Sequence, residues 1–211
     1  AGVGQAGAET DRLKVWNGDW RAELRGDTHE LVARAGNCSI RLALRPVKPL
    51  VLHGEHGLDR KGDSEGNASY YYSMTRLGTE GTIRIGEREY DVSGLSWLDR
   101  EWSTSALAAD QVGWDWFALQ LSDGSELMFY GLRLQDGSQD SASAGTFVSA
   151  NGVASHLDNN DVAVTVLDTW DSPEGGTYPS RCPVFGRDRA YLRGAVRVLD
   201  ATINRSFLAR K

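Results

Sequence analysis

The chain has 211 residues, of which 40% are hydrophobic and 25% charged, and a formal net charge of −6; this is the balance of an ordinary globular protein. The acidic balance excludes the basic surface of a nucleic-acid binder, and no apolar run approaches the roughly 20 residues that a membrane-spanning helix needs. Charge is unevenly placed, with a net +6 in residues 181–211 against −12 in the other 180 residues, so a basic tail is expected, either as a solvated end or as an arm for an acidic partner.

In chain order, residues 1–10 are rich in glycine and alanine and lack the basic start and apolar core of a signal peptide. Residues 38–45 alternate, Ile40, Leu42 and Leu44 facing one way and Arg41 and Arg45 the other. Val47-Lys48-Pro49 breaks that strand. Residues 53–67 are polar and glycine-rich, which predicts a surface loop over one sheet end. His53 and His56 lie within it, but with no third ligand they make no metal site. Residues 69–76, 79–85 and 89–92 are further short strands, the last two joined as a hairpin through Gly86-Glu87-Arg88. In Tyr70-Tyr71-Tyr72 the middle ring faces opposite to its neighbours, so at least one of the three points inward. Residues 114–121 and 126–134 flank the turn Ser122-Asp123-Gly124, and 145–150 and 162–170 are separated by Asn151-Gly152. A second surface loop is expected over 134–143. No window sustains a 3.6-residue period. The pattern is all-β, an antiparallel barrel or sandwich. Cys38 and Cys182 have no partner at metal-ligand spacing and are expected as two separate thiols.

Chemistry concentrates in Gly94-Leu95-Ser96-Trp97-Leu98-Asp99-Arg100-Glu101-Trp102-Ser103 and in Gly113-Trp114-Asp115-Trp116, which hold four of the seven tryptophans. Strand alternation puts Leu98, Arg100 and Trp102 on one face and Trp97, Asp99 and Glu101 on the other. Aromatic walls beside carboxylic acids suit an apolar ligand with few polar handles, or an alkene that needs a proton. A buried carboxyl can deliver that proton, and aromatic faces stabilise the resulting cation by roughly 0.5–2 kcal/mol each. Asp99, Glu101 and Asp115 are the candidate acids; Trp97, Trp102, Trp114, Trp116 and Tyr130 are the candidate walls; Tyr71 and Arg100 are candidate ligand contacts. The plainer reading keeps Asp99 and Glu101 in cross-strand ion pairs with Arg100 or Arg133 and the indoles in the core. Asp115 shares its strand face with Phe117, Leu119 and Leu121, so burial is expected there. No Gly-x-Ser-x-Gly elbow, dinucleotide fingerprint or Walker loop is present, so no cofactor is expected.

Four segments, Gly-Asn-Ala-Ser-Tyr-Tyr-Tyr-Ser (66–73), the motif at 94–103, Gln-Val-Gly-Trp-Asp-Trp-Phe (111–117) and Asp-Gly-Ser-Glu-Leu-Met-Phe-Tyr (123–130), resemble the AttH/CrtC-type lipocalin-like family. That family includes carotenoid 1,2-hydratases (hydroxyneurosporene synthases) and many proteins labelled predicted secreted hydrolases. The resemblance implies two consecutive lipocalin-like domains with a ligand site at or between them. Residues 1–93 would be the C-terminal part of a first domain, 94–180 the start of a second, and 181–211 the tail. It also implies a bacterial, secreted or periplasmic protein that binds an apolar, isoprenoid- or polyene-like molecule. The function is then acid-assisted hydration, isomerisation or cyclisation, as in a hydratase-type lyase, or carriage of the ligand without chemistry. The family's Glu-Trp-Trp-Tyr motif is absent, so the chain is expected to begin partway through the first domain and to pair with a second copy through exposed strand edges. Arg100 stands where the carotenoid hydratases carry histidine, and residues 127–130 hold no acid.

Overall fold

Alternation at a period of two makes these segments strands, and short glycine turns set their lengths. A computed structural model describes residues 4–64, 66–103, 107–182, 184–186 and 201–202. It is all-β with antiparallel pairing, and no helix among the described residues is long and apolar enough to cross a membrane. The chain divides into two compact units, Ala1–Leu52 with Tyr71–Glu101, and His53–Tyr70 with Trp102–Lys211.

A nine-stranded sheet is made of β1 (Ala6–Ala8), β2 (Lys14–Asn17), β3 (Trp20–Arg25), β4 (Thr28–Ala35), β5 (Cys38–Pro46), β6 (Val51–Leu52), β7 (Leu58–Arg60), β8 (Ala68–Ile85) and β9 (Arg88–Ser103). Successive stretches of β8 pair with β5, β6 and β7, and β9 returns along it. In the first unit the register separates the two faces of the sheet. On one, His29 lies opposite Leu24 and Leu44, Leu31 opposite Ala22 and Leu42, and Ile40 opposite Ala33 and Ile83. On the other, Glu23 lies opposite Lys14 and Glu30, and Ser39 opposite Arg34 and Arg84. One face of the sheet is thus apolar and the other charged, the alternation expected of antiparallel strands.

Runs 69–76 and 79–85 are one strand. Leu77 and Gly78, read from sequence as a gap, continue the ladder opposite Pro46 and Arg45. Ser69, Tyr71, Ser73, Thr75, Leu77 and Thr79 are all buried along β8, a hydroxyl-rich stripe rather than an apolar one. Gly81 must be glycine: its φ is +152° and a Cβ there would sit 2.1 Å from the Arg41 carbonyl oxygen. Strands β1 to β4 carried no clear sequence signal because they are short or have their few large apolar residues interrupted by charged ones.

In the second unit, β10 (Gln111–Gln120), β11 (Glu126–Leu134), β12 (Ala144–Val148) and β13 (Ala154–Asp158) form a four-stranded sheet. The strands β14 (Val162–Val164), β15 (Asp168–Asp171), β16 (Thr177–Cys182), β17 (Val184–Gly186) and β18 (Ala201–Thr202) follow in two small sheets. Leu121, Leu127, Phe129, Phe147, Leu157, Val162 and Val184 make its apolar core. The inner strand β11 is buried on both faces from Glu126 to Leu132. The expected turns are present, with Gly124 N–H donating to the Leu121 carbonyl and Gly152 N–H to that of Ser149.

Segment 53–67 differs from the expected surface loop. His53, Asp59 and Asn67 are buried, because their polar groups find partners within the second unit, as burial demands. Glu55 and Leu58 exchange backbone hydrogen bonds around His56 and Gly57, whose φ values of 53° and 94° make a mirror-image hairpin turn. Cys38 is exposed and Cys182 buried, both as free thiols. Of the basic tail, only 181–182, 184–186 and 201–202 are described; the rest of that expectation lies outside the described residues.

Candidate functional site

In the first unit, Tyr71 and Ser73 stand two apart on β8, so the pleat sends both to the same side. The Tyr71 hydroxyl donates to Asp99 Oδ1 at 2.9 Å, and Ser73 Oγ donates to the same oxygen. With Oδ1 accepting twice, a proton on this carboxyl belongs on Oδ2. Further along the strands, Thr79 Oγ1 lies 2.7 Å from Ser96 Oγ. Trp97 is half-buried, and its enclosed indole N–H has no hydrogen-bond partner. Arg100 and Glu101 are exposed. Asp99, Tyr71 and the previously unsuspected Ser73 therefore converge. The two-residue spacing of Tyr71 and Ser73 was the sequence signal for that pairing, but nothing in the sequence named Asp99 as its target.

In the second unit, Trp102, Trp114 and Trp116 are 52%, 55% and 45% exposed. Trp114 and Trp116 alternate with Asp115 along β10, so both indoles stand on its outward side beside Val112. Trp102 stacks on Tyr70 with ring centroids 5.7 Å apart. Asp115 is only half-buried, and Arg133 Nη1 donates to its Oδ1 at 2.7 Å. Arg133 lies opposite Gly113, diagonal to Asp115, where a long side chain reaches across.

Tyr130 is buried in a network that sequence did not indicate. Its hydroxyl donates to Asp59 Oδ1 at 2.9 Å, Lys61 Nζ donates to Asp59 Oδ2 at 2.8 Å, and the same ammonium lies 3.4 Å from the Tyr130 ring centroid. Gln111 joins the network by donating to the Lys61 carbonyl and to Asp140, each at 2.8 Å. His53 Nδ1 is 2.8 Å from Thr146 Oγ1. Burial, with help from the Lys61 and His156 charges, pushes the His53 pKa down to about 3. Beside these groups lies a cleft of about 390 Å³ lined by Glu55, Asp59, Arg60, Ser143, His156 and Asp158 among others. Both faces of Tyr130's chemistry, ring and hydroxyl, are taken by 59–61, which assigns it to holding that segment. Among the described residues, no three His, Cys, Asp or Glu side chains come together as metal ligands.

A family model described as AttH-like matches residues 1–201. No curated protein matches. Two solved structures are similar. A protein assigned as AttH from Nitrosomonas europaea shares 32% identity at a TM-score of 0.77, the match covering 83% of this chain and 55% of that one. Kievitone hydratase from Nectria haematococca shares 17% identity at a TM-score of 0.65, covering 84% of this chain and 55% of the other. The second likeness is one of fold. The chain spans about half the length of the solved structures it matches.

Proposed function

This chain belongs to the AttH-like family, and on that premise we propose that it binds an apolar, isoprenoid- or polyene-like ligand and performs acid-assisted chemistry on a carbon–carbon double bond. The observation that carries this reading is the convergence of Tyr71 and Ser73 on one oxygen of Asp99. Two donors fix the carboxyl's orientation, which leaves Oδ2 as the oxygen that gives and receives protons. In hydration, Oδ2–H would protonate the alkene, water would add to the cation, and the carboxylate would take back the proton that water releases. The net change is one water added and Asp99 restored. Isomerisation or cyclisation would use the same proton transfers without the water. A structural neighbour of similar fold that is itself named a hydratase is in keeping with the first of these. The half-buried indole of Trp97, two residues from Asp99 on the same strand of the first unit, supplies apolar and π surface for such a ligand.

A carrier without chemistry is the alternative, and one observation favours it. The Oδ1 of the second candidate acid, Asp115, is taken by the Arg133 guanidinium. One experiment separates the two. A polyene is mixed with the protein, and tryptophan quenching and product mass are followed together. The enzyme reading expects quenching with a product one water heavier, or an isomer of altered retention, and a rate reduced about 10²–10⁴-fold in Asp99→Asn with quenching retained. Quenching with an unchanged ligand leaves the carrier.

A further inference from the structure

We infer that His29 is the polar anchor for a ligand on the apolar face of the first unit's sheet, and that it selects a hydrocarbon bearing one uncharged oxygen, an alcohol or a carbonyl. The inference deepens the ligand-binding part of the proposal above and rests on it.

The register makes the case. His29 sits in a row between Leu24 and Leu44, with the row Ala22, Leu31, Leu42 beside it and Ala33, Ile40, Ile83 beyond. No charged residue stands in these rows. Val15, Leu31, Ile40, Leu42 and Ile83 are only half-buried, while the buried apolar cluster among the described residues lies in the second unit. The face thus offers apolar area that folding has not consumed. His29 is 7% exposed, and its Nε2 is enclosed without a hydrogen bond. A leucine here would continue the row and carry no orphaned nitrogen, so folding alone gives no reason for the imidazole.

The other polar group of the row, Thr79, is already engaged with the Leu77 carbonyl and Ser96. Burial pushes the His29 pKa down, so the ring is neutral near pH 7 and offers one donor and one acceptor. A neutral ring in rows without a charged side chain pairs with a hydroxyl or carbonyl. It gives nothing to offset the desolvation of a carboxylate.

The test uses the full chain with ¹⁵N-labelled histidine and three probes of one length: decanol, decane and decanoate. Decanol is expected to shift the His29 Nε2 resonance, identified by its loss in His29→Gln, and to bind about tenfold tighter than decane. His29→Leu should bring the two to equal affinity with decane binding kept, and His29→Gln, which retains a donor and an acceptor, should keep part of the preference. An unshifted resonance, equal affinities for decanol and decane, tighter binding of decanoate, or a preference that survives in His29→Leu would each overturn the anchor. Asp99→Asn is expected to leave the decanol preference intact. Selection lost with turnover intact therefore defeats the anchor alone, and turnover absent with selection intact defeats the chemistry alone.

Discussion

At the scale of single residues, the site depends on where polar groups are buried and what they meet. Asp99 is an exposed residue whose Oδ1 is nonetheless tied to a buried tyrosine and a buried serine, so a carboxyl near solvent is held in one orientation. His53 shows the opposite arrangement, a fully buried imidazole kept neutral against Thr146. Its folded pKa of about 3 lies below the ordinary histidine value of 6.5. The unfolded chain therefore takes up this proton first, and stability falls as pH drops from about 6.5 towards 3, by roughly 1.4 kcal/mol per unit. His29 is shifted the same way and adds to the same slope. Urea midpoints measured between pH 7 and pH 4.5 should fall steadily for the native sequence and less steeply for His53→Gln. Equal slopes would show that His53 is protonated in the fold.

At the scale of the element, the long hairpin of β8 and β9 shows how one strand takes several partners. Its residues 77–85 pair with β5, 72–73 with β6 and 68–70 with β7, and at Gly81 the backbone of β5 leaves no room for a Cβ. Gly81→Ala puts a methyl against backbone that cannot swing aside, at a φ that alanine resists. A loss of about 1–3 kcal/mol is expected, read as a lower denaturation midpoint. A change within about 0.5 kcal/mol, the scatter of a surface substitution, would mean that the strands separate easily at that point. The ion pair of Asp115 and Arg133 is a contrast. It is geometrically good but half in water, and contributes about 0–1 kcal/mol.

At the scale of the molecule, the two units are built differently. The second has a conventional apolar core around Phe129, whereas in the first the polar Glu23, His29, Ser73, Thr75 and Thr79 are buried alongside Leu44, Val51, Tyr71 and Leu77. Phe129→Ala should cost about 3–5 kcal/mol. Leu42→Ala, on the half-buried sheet face, should cost well under half as much in the free protein and more once that face is occupied. Thermal denaturation of both variants with and without decanol checks this. Equal losses in the two variants, unaffected by decanol, would mean that the first unit's face is ordinary core.

The sequence by itself determined the class of the fold. Alternation at 38–45, the apolar run at 127–132, and the glycine turns at 86, 124 and 152 are local instructions that hold wherever the strands end up, and the family motifs are contiguous. It also set Tyr71 on the face opposite to Tyr70 and Tyr72, without saying which of the two faces turned inward. Only the tertiary structure decided the partners. Whether 69–85 is one strand or two depends on β5 lying alongside; whether Asp115 is buried or paired depends on Arg133 eighteen residues away; and Tyr130 meets Asp59 across 71 residues of chain. Periodicity reports which side of a strand a residue faces, and carries no information about what the rest of the chain brings to that side.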